Sequence, residues 1–304
     1  MIVNELYNGS GLGNQLWRYT VTRVIASKNG YEFGIMSPHK FKASKIFNLD
    51  FGKEVVGGSG PEGGPPITLP EGIERYYEEQ SLIHPVYDCD CRLYDPKLAT
   101  VPDNTKIDGN MESEKYLEGY REHAREWLKI RDERQYYGFS SPDICMLGFR
   151  GGEYVGVSEL FLPPSYWYNA MEIMKQRNPR MKFKVVTDDP RTAKMFFPNL
   201  EVYHYNTQAD WILIRNAQNI IMSNSSFAWI ATWINDGVKN VIAPKYWARH
   251  NVSDGFWAQG DSLTKGWEYM DREGTLFNYD ECLKEKEQYE INNSHIYETC
   301  GKGL

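Results

Sequence analysis

Residues 182–190, KFKVVTDDP, and 219–236, NIIMSNSSFAWIATWIND, decide how this chain reads. Each begins as a short apolar run, stops at acidic or small polar residues and passes into a helical pattern. An apolar run of roughly four to eight residues bounded by turn signals reads as a buried strand. A third run, Ile144–Phe149, stops at Arg150-Gly151-Gly152-Glu153-Tyr154, and further strands are expected at Val202–Tyr205 and Asn240–Ala243. Helices are expected near Tyr166–Gln176, from Pro190 toward Phe197, and over Asp210–Ala217 and Phe227–Asn235. Strands alternating with helices predict a mostly parallel sheet with helices on both faces. In such sheets ligands gather beyond the carboxyl ends of the strands.

Working outward, residues 2–7 (IVNELY) read as a strand that runs through NGSGLGNQ into a helix over Leu16–Lys28, followed by a strand over Tyr31–Met36. Residues 57–72 form a Gly/Pro-rich loop. A strand is expected at Lys106–Met111. Tyr116, Leu117, Tyr120, Ala124, Trp127 and Leu128 then recur at helical spacing, with Ser113 as N-cap. The polar stretch 131–142 is the boundary, which gives one Rossmann-like domain over 1–138 and another over 139–304. The charged tail from Asp280 is expected to be helical and to pack back across the domains. A length of 304 residues suits two domains at roughly 150 residues each.

The net charge is −7, and an acidic surface repels phosphate backbones, so no nucleic-acid partner is expected. No window holds the roughly 18 apolar residues of a membrane span, and no signal peptide opens the chain. The five cysteines are odd in number and irregularly spaced, which argues against a disulfide framework and for a reduced, cytoplasmic setting. Cys89 and Cys91 with His84 make at most half a metal site. Sequons at Asn8, Asn224, Asn251 and Asn292 carry no weight without a signal peptide. Aromatic content of 14% suits flat-ligand surfaces as well as packing.

Four turns can carry chemistry. In Gly9-Ser10-Gly11-Leu12-Gly13-Asn14-Gln15 the glycines allow close backbone approach, and the next helix aims free N–H groups at an anion; a ligand-free tight turn is the alternative. In Gly148–Tyr154, Arg150 offers a permanent bidentate charge for a phosphate pair. Glu153 can take a proton or orient the arginine, or the two can form a structural pair. Asp188 and Asp189 divide the work: one caps the next helix with Pro190 at its first position, the other faces a ligand. Asn224-Ser225-Ser226-Phe227 makes a phosphate cradle without a lysine, unless a serine is only a cap. Trp229 and Trp233 are expected in the core. All four turns lie where an expected strand ends, which suits a nucleotide-like ligand.

At these motifs the sequence resembles the α-1,2-fucosyltransferase family of inverting glycosyltransferases, and more distantly the α-1,6-fucosyltransferases. The resemblance rests on GLGNQLWRYTVTRVIA (11–26), KIDGNMESEKYLEGYREHAREWL (106–128), TDDP (187–190), DWILIRNAQNIIMSNSSFAWIATWIND (210–236) and VIAPKYW (241–247), in the family's order over roughly residues 9–247. It implies a GT-B fold of two facing Rossmann-like domains, a GDP-sugar donor, a glycan acceptor and no required metal or other cofactor. It places donor binding on Gly11, Gly13, Asn14, Gln15, Arg150, Asp188, Asp189, Asn224, Ser225, Ser226 and Phe227. Arg150 falls on the diphosphate-binding arginine, the aspartates on the pair implicated in guanine recognition, and the serines on phosphate contacts. Arg150 and Glu153 are the catalytic candidates, with Glu159 the second choice of base. The family pattern HxRRGDY reads GFRGGEY here. Gly148 stands for a histidine that helps hold the base or ribose, Gly151 for the second arginine and Glu153 for the aspartate.

The expected activity is fucose transfer from GDP-fucose to a glycan hydroxyl, peripheral to membrane-bound glycan synthesis. The rivals are transfer from another nucleotide sugar, a metal-dependent transferase built on Asp88-Cys89-Asp90, a catalytically silent binding relative, and a nicotinamide oxidoreductase lacking its glycine fingerprint.

Overall fold

The computed structural model describes residues 1–58, 67–86, 89–131, 139–258 and 262–297. Chain contacts divide it into two units, Met1–Ile130 with His295–Leu304, and Arg131–Ser294. Most of the polar boundary stretch, the centre of the Gly/Pro-rich loop, Asp88 and Cys300 lie outside the described residues.

The first unit carries β1 (Ile2–Glu5), α1 (Leu12–Asn29), β2 (Phe33–Met36), β3 (Arg75–Glu78), β4 (Ser81–His84), β5 (Cys89–Arg92), α2 (Pro96–Ala99), β6 (Thr105–Asp108), α3 (Glu114–Leu117) and α4 (Arg121–Trp127). Its sheet has the order β2-β1-β6-β3, all parallel, and β4 and β5 form a separate antiparallel pair. The helical spacing expected across 116–128 is real but broken into two helices, because Gly119 sits at φ +80° between them. Ser113 does cap α3, without a side-chain bond. β1 and β6 are buried along their whole length although they contain Glu5, Lys106 and Asp108. Charges survive there only by pairing. Lys106 Nζ lies 3.0 Å from Glu5 Oε2, and Arg18 Nη1 2.9 Å from Asp108 Oδ1. Tyr7 also donates its hydroxyl to Asp108 at 2.7 Å.

The second unit carries β7 (Ile144–Phe149), α5 (Pro164–Arg177), β8 (Lys182–Thr187), α6 (Pro190–Phe196), β9 (Glu201–Tyr203), α7 (Thr207–Arg215), β10 (Asn219–Met222), α8 (Ser226–Trp233), β11 (Asn240–Pro244), β12 (Glu268–Met270), β13 (Leu276–Asn278) and α9 (Tyr279–Asn292). Its strand order is β13-β12-β11-β10-β7-β8-β9, parallel except for the β12–β13 pair. β7 lies between β10 and β8, which is why ICMLGF reads as a nearly unbroken apolar run. Both units are therefore α/β with mostly parallel strands, as expected.

Local signals explain the helix boundaries. Asn206 caps α7 through the amides of Gln208 and Ala209, and Asn278 with Glu281 forms a reciprocal capping box at α9. Trp229 and Trp233 stack with centroids 5.5 Å apart, inside the core as expected. The core ends at the site through Phe149, whose ring meets Phe161, Trp167, Phe196 and Phe197 within 6 Å. Phe149→Ala is expected to cost about 3–5 kcal/mol, read as a lowered urea midpoint.

His250 is fully buried beside the Tyr166 ring, and burial pushes its pKa down to about 4. The unfolded chain takes up this proton near pH 6.5 while the fold refuses it until about pH 4, so stability falls as pH drops through that window. The loss attributable to His250 is about 3 kcal/mol between pH 7 and pH 4. A His250→Phe variant, followed by denaturant melts across that range, should show a flatter pH profile than the native chain.

Candidate functional site

The candidate residues of the second unit collect on one rim because their strands are neighbours in register. Met222 pairs with Gly148, and Phe149 with Thr187. The Ser223 amide donates to Gly148 O at 3.1 Å. Asn224–Ser226, Arg150 and Asp188–Asp189 therefore leave three adjacent carboxyl ends, β10, β7 and β8.

Arg150 is held by two carboxylates. Its Nη1 lies 2.6 Å from Asp188 Oδ2 and its Nη2 2.8 Å from Glu153 Oε1, and its guanidinium carbon stands 5.4 Å from the centre of the Tyr154 ring. The arginine side chain keeps 32% of its exposure, Asp188 30% and Glu153 75%. Glu153 is thus the partner that an arriving anion can displace, while Asp188 is fixed from a second side. Asp188 Oδ1 accepts the Gly151 amide at 3.0 Å.

One of the two aspartates is a helix cap, as expected. Asp189 caps α6, accepting the Thr192 amide at 3.0 Å and the Thr192 hydroxyl at 2.6 Å. Those two bonds hold its carboxyl below the usual range. Asp188 is the one that faces the rim.

At β10 the chain turns at Asn224, which is 3% exposed. Its amide group donates to Leu160 O at 3.0 Å, while its Oδ1 is buried without a partner among the described residues, as is the neighbouring Ser223 hydroxyl oxygen. Ser225 is the N-cap of α8 in extended geometry and makes no side-chain cap bond. The first-turn N–H groups of α8 are those a helix leaves without intrahelical partners. Ser226 and Phe227 open the helix, both half-buried. Asn224 Oδ1 can meet only a hydrogen-bond donor, whereas the first-turn amides of α8 are of the kind that suits an anion.

The glycines of GFRGGEY have steric reasons. A Cβ on Gly151 would stand 2.6 Å from Asp189 Cβ, so the second arginine of the family pattern has no room here. Gly152 sits at φ +47°, and a Cβ there would stand 2.5 Å from Asp188 Oδ2. At Gly148 a Cβ would meet Ala228 and Ile214 at ordinary contact distance, so a histidine there would point into packed apolar side chains.

The GLGNQ turn belongs to the first unit. Gln15 spends its amide on the chain, donating to Tyr7 O and Lys40 O at 3.2 and 2.9 Å and accepting the Lys42 amide at 3.0 Å. Its position is that of a brace between two loops rather than of a donor contact. Gly11 is the N-cap of α1 at φ −63°, and a Cβ there would meet nothing within 4 Å. Gly13 is buried and Asn14 half-buried in the first turn of α1. Glu159 is not an idle base, since its Oε2 lies 2.5 Å from Arg249 Nη1.

Tyr154, His204 and Asp210 were not singled out by sequence. Tyr154 donates its hydroxyl to Asn224 O at 3.3 Å, and His204 Nδ1 lies 2.7 Å from the buried Asp210 carboxylate at the end of β9. Burial raises the Asp210 pKa, and the nearby Asp188 charge adds to it. The available signal was position alone, since each follows a strand end.

Searches against family models and curated protein sequences gave no match. Solved structures show weak likeness. They include a mutant of Arabidopsis thaliana FUT1 in complex with GDP (10% identity, TM-score 0.42, 80% of this chain and 69% of that chain). They also include the fucosyltransferase NodZ from Bradyrhizobium (14%, 0.40, 79% and 94%) and NodZ α-1,6-fucosyltransferase soaked with GDP-fucose (13%, 0.43, 91% and 98%). Likeness at that level carries no argument about activity. Among the described residues no helix is long and apolar enough to cross a membrane.

Gly151→Ala forces the Asp189 segment to shift and is expected to cost about 1–3 kcal/mol, read as a lowered melting temperature. Gly11→Ala, in open space, should leave that temperature unchanged.

Proposed function

We propose that this protein is an inverting glycosyltransferase of the GT-B type that moves fucose from GDP-fucose to a glycan hydroxyl, in the manner of the α-1,2-fucosyltransferases its motifs resemble. The observation that carries this reading is the rim itself. A permanently charged guanidinium is fixed by Asp188 and leaned on by a displaceable Glu153. One strand away stands the start of α8, which has no side-chain cap.

Such a rim suits a diphosphate leaving group. As the sugar C1–O bond stretches, negative charge gathers on the departing phosphate oxygen. Arg150 and the amides at the start of α8 would stabilise that charge as it forms. When the diphosphate takes Arg150, Glu153 is released beside it with a carboxylate able to accept the acceptor hydroxyl's proton. Asp188 keeps the arginine aimed throughout. No step requires a metal. Glu159, already paired with Arg249, is the weaker choice of base. The buried free cysteines Cys145 and Cys282 suit the reduced, cytoplasmic setting that belongs to this reading.

The test has two arms. In a thermal-shift panel of GDP, UDP, CMP and dTDP sugars, a GDP compound present at about 100 times its Kd should add roughly 2.7 kcal/mol of stability. Arg150→Ala should keep its fold yet lose about 10²–10³-fold in transfer rate. Stabilisation by UDP compounds alone, or near-native turnover by Arg150→Ala, overturns the proposal.

A further inference from the structure

The segment 151–162 carries Glu153 and Tyr154 and is exposed over most of its length up to Glu159. Ordering an exposed loop costs about 1–2 kcal/mol per residue in backbone entropy, so something must hold it. Turn bonds link it internally, from Tyr154 N to Gly151 O, Val157 N to Tyr154 O, and Leu160 N and Phe161 N to Val157 O. Gly156 sits at φ +94° in open space between its two halves.

Four successive residues at its far end are then gripped from outside the loop. Asn251 Nδ2 donates to Ser158 O at 2.6 Å and to Phe161 O at 2.9 Å. Arg249 takes the Glu159 carboxylate at 2.5 Å. Asn224 Nδ2 donates to Leu160 O at 3.0 Å. Arg249 and Asn251 follow β11, and Asn224 follows β10, so the grip comes from the same rim as the candidate site.

The Arg249–Glu159 pair is lopsided. The arginine side chain is 4% exposed and the glutamate 48%. Pairing a buried guanidinium with a half-exposed carboxylate is not by itself a strong source of stability, since apolar replacement of buried ion pairs is often neutral or stabilising. One attested role of such pairs is to specify a conformation.

We propose that Arg249 is a positioning residue. Acting through Glu159, with Asn251 and Asn224 beside it, it fixes the loop that sets Glu153 and Tyr154 against Arg150. Its catalytic consequence rests on the function proposed above; its structural consequence does not.

The experiment compares full-length native protein with Arg249→Met and Glu159→Gln. Arg249→Met keeps the volume apolar and should fold cooperatively with its GDP-induced thermal shift intact. Amide exchange over 151–162 should accelerate, and kcat should fall by about tenfold to a hundredfold while donor KM stays within about twofold. Glu159→Gln retains a neutral hydrogen bond and should keep amide exchange over 151–162 near the native rate. If Arg249→Met fails to fold, Glu159→Ala, a change at a half-exposed side chain, makes the comparison by amide exchange alone. Native exchange in the loop together with native kcat overturns the inference. If the native protein neither binds GDP nor turns over a GDP-sugar, the proposed function fails, and the exchange measurement alone decides whether the clamp exists.

Discussion

A guanidinium cannot shed its proton, so Arg150 imposes a charge on the end of β7 that the surrounding structure must answer. Asp188 answers it permanently, fixed by the Gly151 amide as well as by the arginine. Glu153 answers it conditionally, from a mostly exposed position. In the proposed function that asymmetry matters: one carboxylate aims the cation, and the other yields it to a stronger anion and is then free to handle a proton.

The glycines beside Arg150 follow from the same arrangement. Asp188 and Asp189 approach so closely that no side chain fits at 151 or 152. What reads as the loss of a second arginine from a family pattern is, in three dimensions, a steric condition for the aspartate contact. The missing histidine at 148 is likewise a packing matter, since that direction leads to Ala228 and Ile214. Beside the rim at β10, the start of α8 presents first-turn amides without a side-chain cap.

Much of this was legible beforehand for a local reason. Ile144–Phe149 and Asn219–Met222 are buried on both faces, and Lys182–Thr187 from Val185 onward, so composition marks them, and their stops are marked by Gly, Asp-Pro and Asn-Ser. Asp189 was readable as a cap because Pro190 follows it. The short strands of the first unit were harder. Arg75–Glu78 and Ser81–His84 are polar edges without a strong period, and the expected single helix over 116–128 is cut by one glycine whose φ no periodicity reveals. Gln15 looked like part of a ligand loop, yet its amide is consumed by Tyr7, Lys40 and Lys42.

The sequence by itself determined the class of the fold and the four turns worth watching, because burial periodicity and turn chemistry act over a few residues. Only the tertiary structure decided which turns meet. Strand order, with β7 between β10 and β8, depends on pairings between segments some 35 to 80 residues apart. It sets Arg150 between Asp188 and the Asn224 turn, and it brings Arg249 and Asn251 onto a loop about 90 positions earlier in the chain. No local pattern encodes such distances, because they are fixed by how the sheet closes on its core.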